Sequence, residues 1–319
     1  MIKKLKKNEV FVFGANLAGN HCGGAALQAL KFGATLGVGE GLTGQCYAFP
    51  TLNKDFSKRT ISQLKASVKK FYKCARENTD KTFLLTKVGC GIAGFDESTI
   101  KELFLNAPDN VELPEDWQIR LWKTLVYTDD KKIKSYNGDC EWIVGEWKQE
   151  KEIDMCNKGF HASEKPLDAF SYITPDDIVA LVEVRGQSEI QYDKQVWERM
   201  RIIDKWHWTK KQSIALSIYS AELVLKNFED KYPDDMRPRK AIEAAKKVLK
   251  NDTEKNRSAA ESARSAAANA AWSARSAWSA RSAAESAAWS AAVSAESAAV
   301  SARKDIIKKI NDKIIELLK

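Results

Sequence analysis

The chain has 319 residues, 44% of them hydrophobic, and its 51 Lys and Arg outnumber 43 Asp and Glu to give a formal net charge of +8. No apolar run approaches the roughly 20 residues of a membrane span, and at roughly 100 to 200 residues per domain the length predicts two or three soluble units. The basic residues are spread along the chain rather than clustered, which argues against a nucleic-acid partner and leaves attraction to a small anion as the milder reading.

After the basic opening "MIKKLKK" the only apolar segment is "VFVF", too short for a secretory h-region. Six scattered cysteines form no CxxC pair, so reduced thiols and a cytoplasmic location are expected. The first region, assigned to residues 1–126, alternates strands and helices. "EVFVFG" predicts a strand, "GAALQALKFG" a helix with a glycine C-cap, and "CYAFP" a strand. "TISQLKASVKKFYKCAREN" predicts an amphipathic helix, "KTFLLTKV" a strand, "DESTIKELF" a helix opened by acids, and "WQIRLWKTLVY" a last strand of this region. Such alternation predicts an α/β domain with a mainly parallel sheet.

The second region, 127–226, is rich in tryptophan and poor in glycine, and predicts an α+β module in which "DIVALVEVRG" is a buried strand ended by a turn. The third, 227–319, has no glycine and is expected to be all-α. From Ser258 to Arg303 it is almost wholly Ala, Ser, Arg, Glu and Trp, with serines (and Asn269) about 3.6 residues apart, the period of an α-helix. A stripe of small side chains suits close helix packing, so packed helices and a homo-oligomer through them are expected here.

Two glycine loops follow strands in the first region: "FGANLAGNHCGGAAL" (Phe13 to Leu27) and "VGCGIAGF" (Val88 to Phe95). Glycine lets backbone amides approach phosphate oxygens, and in open α/β sheets ligands sit beyond the carboxyl ends of strands. Together the loops can clasp a diphosphate; taken singly, either could be no more than a tight turn. His21 is the loop residue whose intrinsic pKa suits a general base, and Cys22 and Cys90 would be nucleophiles only with depressed pKa values. Glu40 is a third acid–base candidate. His21 and Cys22 have no second Cys/His pair at zinc-ligand spacing, so neither a metal nor a cofactor is predicted.

These motifs resemble the two binding loops of macro domains, and most of all the divergent macro-like proteins of bacteriophages, which share "FVFGxNLAGxHGxGAA" and "GxGEGLxGQxYAxPT" (here "GVGEGLTGQCYAFPT"). The resemblance covers residues 8–106. It implies an ADP-ribose-type ligand, with Asn16 at the ribose nearest the reactive carbon, and Cys22, Gly23, Gly24 and Ala25 along one side of the diphosphate. Val88, Gly89, Cys90, Gly91, Ile92, Ala93 and Gly94 would wrap the other side, and Phe95 would pack on a ribose or base. The family's Gly-Asp-Ile, whose Asp receives the adenine amino group, has no counterpart, so another base or a modified nucleotide stays open. The functions this implies are sequestration of an NAD-derived host immune signal, or hydrolysis of an ADP-ribosyl bond with Asn16 and His21 as catalytic candidates. A scaffold with a vestigial cleft is the third reading.

"CNKGFHASEKPLDAFSYI" (Cys156 to Ile173) resembles an uncharacterised module of phage and bacterial proteins. Its His161 either is a buried turn residue or, with a Tyr downstream and Glu183 or Glu189, mimics an ADP-ribosyltransferase arrangement. "YPDDMRPRKAIEAA" resembles the opening of an alanine-rich helical domain of predicted immunity proteins, in which Asp234, Asp235, Arg237 and Arg239 are expected to pair and cap.

Overall fold

The computed structural model describes residues 2, 4–136, 140–170, 173–174, 176–230, 232–263 and 289–319, with side chains described up to 263 and from 304 onward. The expected helical stripe therefore lies largely outside the described residues.

The first sheet contains β1 (Glu9–Asn16), β2 (Gly41–Thr43), β3 (Cys46–Leu52), β4 (Thr82–Leu85) and β5 (Val111–Glu112), in the order β2-β3-β1-β4-β5. β1 runs parallel to β3 and β4, and β4 parallel to β5, with only β2 antiparallel. Because side chains alternate across a strand, Val10 and Val12 face one layer while Phe11, Phe13 and Ala15 face the other. The first face is covered by α2 (Ile61–Glu77) and α3 (Glu97–Leu103), whose Leu64, Phe71 and Ile100 join the core. The second is covered by α1 (Gly24–Ala29), which continues as a 3-10 turn to Phe32 and stops at Gly33 in the left-handed conformation, φ +91°. α2 starts where the sequence places it because Thr60 and Gln63 form a reciprocal capping box, and α3 because Asp96 accepts from the Thr99 amide at 3.1 Å. After β1 the chain leaves toward β3; after β4 it leaves toward β5. The neighbouring carboxyl ends of β1 and β4 are thus a topological switch point, where a crevice opens.

The strand expected from "WQIRLWKTLVY" forms as β6 (Ile119–Tyr127), but not in the first sheet: it pairs antiparallel with β11 (Ile178–Ile190). The partner strand decides this, since Leu121 and Leu125 complete the core formed by Ile178, Ala180, Val182 and Val184 of β11. The second sheet continues through β12 (Gln195–His207) to β10 (Phe160–Ala162) on one side, and through β7 (Ile133–Lys134) to β8 (Glu141–Trp142) on the other; β9 (Lys148–Gln149) pairs with β12. Trp122 and Ser163 exchange two backbone hydrogen bonds of 2.8 Å, which closes the ring β6-β11-β12-β10. Gly186 does not end its strand in a turn. At φ +89° it sits where the β11–β12 register shifts, a bulge that lets the strand run on to Ile190.

The helices are α4 (Pro166–Ala169), α5 (Lys210–Glu229), α6 (Arg237–Lys250), α7 (254–263) and α8 (Trp289–Leu318). The end of α8 returns to the second sheet, where Ile314 and Leu318 pack on Val179 and Trp208, and Asn311 Oδ1 accepts from the Leu167 amide at 2.9 Å. Asp235 accepts from the Arg237 amide and pairs with its guanidinium, and Arg239 forms a two-bonded pair with Glu229, while the N-cap position itself is Met236, with no side-chain cap. No described helix is long and apolar enough to cross a membrane.

Ions join the two sheets. Arg201 spans Glu112 of β5 and Glu183 of β11, Arg185 donates to Glu183 and to the carbonyls of Ala107 and Pro108, and Arg199 reaches the Ala107 carbonyl and Asp109. The Trp147 ring centroid lies 4.6 Å from the Arg185 guanidinium and 4.9 Å from that of Arg201.

Candidate functional site

The crevice beyond β1 and β4 is a cavity of about 270 Å³. Both glycine loops line it: from the first come Asn16, His21, Cys22, Gly23, Gly24 and Ala25; from the second Val88, Gly89, Gly91, Ile92 and Ala93. Loop one is held in shape by Asn16, whose Oδ1 accepts from the Asn20 amide at 3.1 Å, and its Nδ2 has no partner among the described residues. Gly19 and Gly39 permit this packing. A Cβ on Gly39 would stand 2.1 Å from the Asn16 carbonyl oxygen, and one on Gly19 would stand 2.4 Å from the Val38 amide nitrogen.

Gly23 and Gly24 serve the cavity itself. A Cβ on Gly23 would meet only Ile92, at 3.5 Å, and one on Gly24 only the same side chain at 4.0 Å, so glycine leaves open space here, and at Gly24 it also allows φ +57°. Ile92, 83% exposed, overhangs that space from the opposite loop. Gly89 and Gly94 adopt φ values of +83° and +61°, and the hydrogen bonds Gly94 N–H to Gly91 and Phe95 N–H to Gly89 close the second loop on itself. The amides of Gly91, Ile92 and Ala93 are left without an acceptor among the described residues, and Gly23 caps α1 with no side-chain bond to the amides behind it.

Three residues expected at the ligand do not line the cavity. Cys90 packs against the core, and burial, with Glu97 nearby, pushes its thiol pKa up, so it is no activated nucleophile. Gly94 offers its carbonyl to Lys58 Nζ at 2.6 Å. Phe95 lies behind Gly89 on the core side, with the Lys58 ammonium 5.2 Å from its ring centroid. The aromatic that does line the cavity is Phe56, 54% exposed at φ +63° in the loop after β3. It follows an Asn-Lys-Asp stretch without a glycine, and its one sequence signal is an aromatic inside a polar loop.

His21 is 3% exposed at φ +49°, its ring edge against Phe13 with centroids 5.0 Å apart. Nε2 lies 3.2 Å from the Thr35 carbonyl, a contact that needs the proton on Nε2; the neutral ring therefore carries its lone pair on Nδ1, which is buried without a partner. Glu40 lies away from the cavity. Its burial is outweighed by bonds from Lys70 and Ser67 that hold its carboxyl below the usual range. Lys87, the lining cation, is bound by Asp116 and Glu97, which raise its pKa. The cavity thus offers main-chain donors, one carboxamide and one imidazole acceptor. Among the described residues no group of three or more His, Cys, Asp or Glu side chains could hold a metal ion.

His161 accepts from the Cys156 amide at 2.9 Å, Glu183 is buried in the ion cluster between the sheets, and Glu189 is exposed; Tyr172 lies outside the described residues. Glu183, committed to two arginines, is not free to serve in the transferase-like set.

Fold and cavity define an open α/β sheet with a crevice between two glycine loops, joined to an antiparallel sheet domain. Residues 127–213, most of the second sheet, match a family described as a domain of unknown function, DUF7666. No curated protein and no solved structure matches the chain.

Proposed function

We propose that the first domain is a macro-like binding domain that captures an ADP-ribose-derived nucleotide in the crevice between its two glycine loops and holds it intact, as a phage protein sequestering an NAD-derived immune signal would. The observation that carries this reading is the run of unpartnered amides at Gly91, Ile92 and Ala93, residues that line the same cavity as Gly23 and Gly24. Amide donors without partners suit an oxyanion-rich group such as a diphosphate. The Nδ2 of Asn16 then serves a ribose hydroxyl. Phe56 takes the place of Phe95 as the ring for a sugar or base, at the open end where recognition of the base is loosest.

Titration calorimetry of the full chain with ADP-ribose, its cyclic isomers and AMP tests this. A heat of binding for the diphosphates and none for AMP is expected; no heat with any diphosphate nucleotide refutes it. The unmet Nδ1 of His21 favours one second reading, hydrolysis of the captured nucleotide with His21 as base. Chromatography of the same samples separates the two: intact ligand supports capture, and a cleaved product that His21→Gln abolishes supports the hydrolase.

A further inference from the structure

The inward positions of β6 read Leu121, Lys123, Leu125. Both leucines are core residues, 3% and 0% exposed, and alternation puts the lysine on the same face between them. Its Nζ donates to the His161 carbonyl at 2.8 Å and stands 5.8 Å from the centroid of the Trp142 ring. No carboxylate among the described residues pairs with it. A cavity of about 200 Å³ opens beside it, lined also by Thr124, His161, Ser163, Asp168 and Lys194.

Lys123 is half-buried, and its ammonium, set between two core leucines and over Trp142, has no carboxylate partner among the described residues to offset the desolvation it suffers there. Burial accordingly pushes the Lys123 amine down to about 8, so a sizeable fraction is neutral near physiological pH. The titratable groups around it do not restore the charge. The Cys140 thiol is raised by burial, His161 is held below its ordinary value by burial and then by Lys123 and Lys194, and Asp168, itself raised by burial, lines the same cavity with Asp193.

We propose that Lys123 is the reactive centre of a second site, in the antiparallel sheet domain, that takes a small uncharged aldehyde or ketone as an imine. The lysine nitrogen attacks the carbonyl carbon, a C=N bond replaces C=O, and the oxygen leaves as water with both amine protons; nothing is oxidised or reduced. The cavity holds about seven water volumes at about 30 Å³ each, which sets the scale of the substrate. Asp168 and Asp193 on its wall stand against the one further cation, Lys194, so the wall has no excess positive charge to select an anionic substrate.

The test is reductive trapping on the full chain, with propionaldehyde and cyanoborohydride, followed by peptide mass spectrometry. At pH 7.5 Lys123 should be modified at least tenfold faster than the exposed lysines. Its labelling should reach half its maximum near pH 8, while theirs climbs toward about 10.4. The Lys123→Arg variant should lose this fast modification from the segment 119–127. Modification of Lys123 no faster than that of exposed lysines overturns the proposal, as does a labelling midpoint shared with them.

Discussion

The crevice of the first sheet and the ion cluster between the sheets are both polar, yet the cluster's charged groups are fully bonded, with the Trp147 Nε1 beside them left unmet, while the crevice's donors are not. In the cluster, Arg185 and Arg201 find acceptors at every guanidinium nitrogen, from Glu112, Glu183 and the carbonyls before β5. In the crevice, the amides of Gly91, Ile92 and Ala93 and the Asn16 Nδ2 have no acceptor among the described residues, and the His21 Nδ1 has no donor. Polar groups that satisfy one another hold domains together; polar groups held open by glycine and a rigid sheet are set for something from outside. The contrast also moves Glu183 from a catalytic candidate to a structural one.

Several substitutions would break or sharpen this contrast. The largest effect is expected from Arg201→Met, which leaves Glu183 buried without one of its two partners. It should cost about 3–5 kcal/mol in chemical denaturation and split the unfolding of the two sheets, with nucleotide affinity unchanged in the folded protein. Next is Gly39→Ala. The added Cβ meets main chain at Asn16 and Leu17, so loop one must shift, for a loss of about 1–3 kcal/mol together with the binding heat. Gly23→Val should leave the melting temperature unchanged, since only Ile92 lies within reach, yet fill the crevice and weaken ADP-ribose at least tenfold, about 1.4 kcal/mol.

The smallest effect is one of pH. Burial opposes ionisation of Glu112, but the bonds and charge of Arg201 prevail and hold its pKa below 4.5. A depressed folded pKa means that its contribution is complete above the unfolded value and is lost as pH falls through the folded one. Thermal melts of the wild type should therefore weaken below about pH 4.5, and Glu112→Gln should flatten that part of the profile. An unchanged slope would remove Glu112 from the account.

Much of this was legible in the residues, for identifiable reasons. Both loops announce themselves through glycines at strand ends, α2 through its period and cap, and the pairing of Arg237 and Arg239 through nearby acids. What escaped depends on tertiary neighbours. The alternation of β6 suits either sheet, and only its partner β11 decides. Gly186 reads equally as a turn or a bulge until Ser188 is seen opposite Trp197. Phe95 and Phe56 exchange places because a loop that closes on Gly89 carries residue 95 inward, while a third loop with no glycine signal supplies the ring outside. Lys123 interrupts an otherwise apolar inward face, a signal that matters only once that face is known to enclose a cavity.

Hydrogen exchange followed by mass spectrometry, with and without saturating ADP-ribose, tests the contrast most directly. Peptides holding Gly91, Ile92 and Ala93 should exchange fast in the free protein and slow markedly with ligand, while peptides across Glu183 and Arg201 stay protected in both. Exchange at residues 91–93 that is already slow in the free protein, or that the nucleotide leaves untouched, would contradict the assignment of the crevice as the binding site.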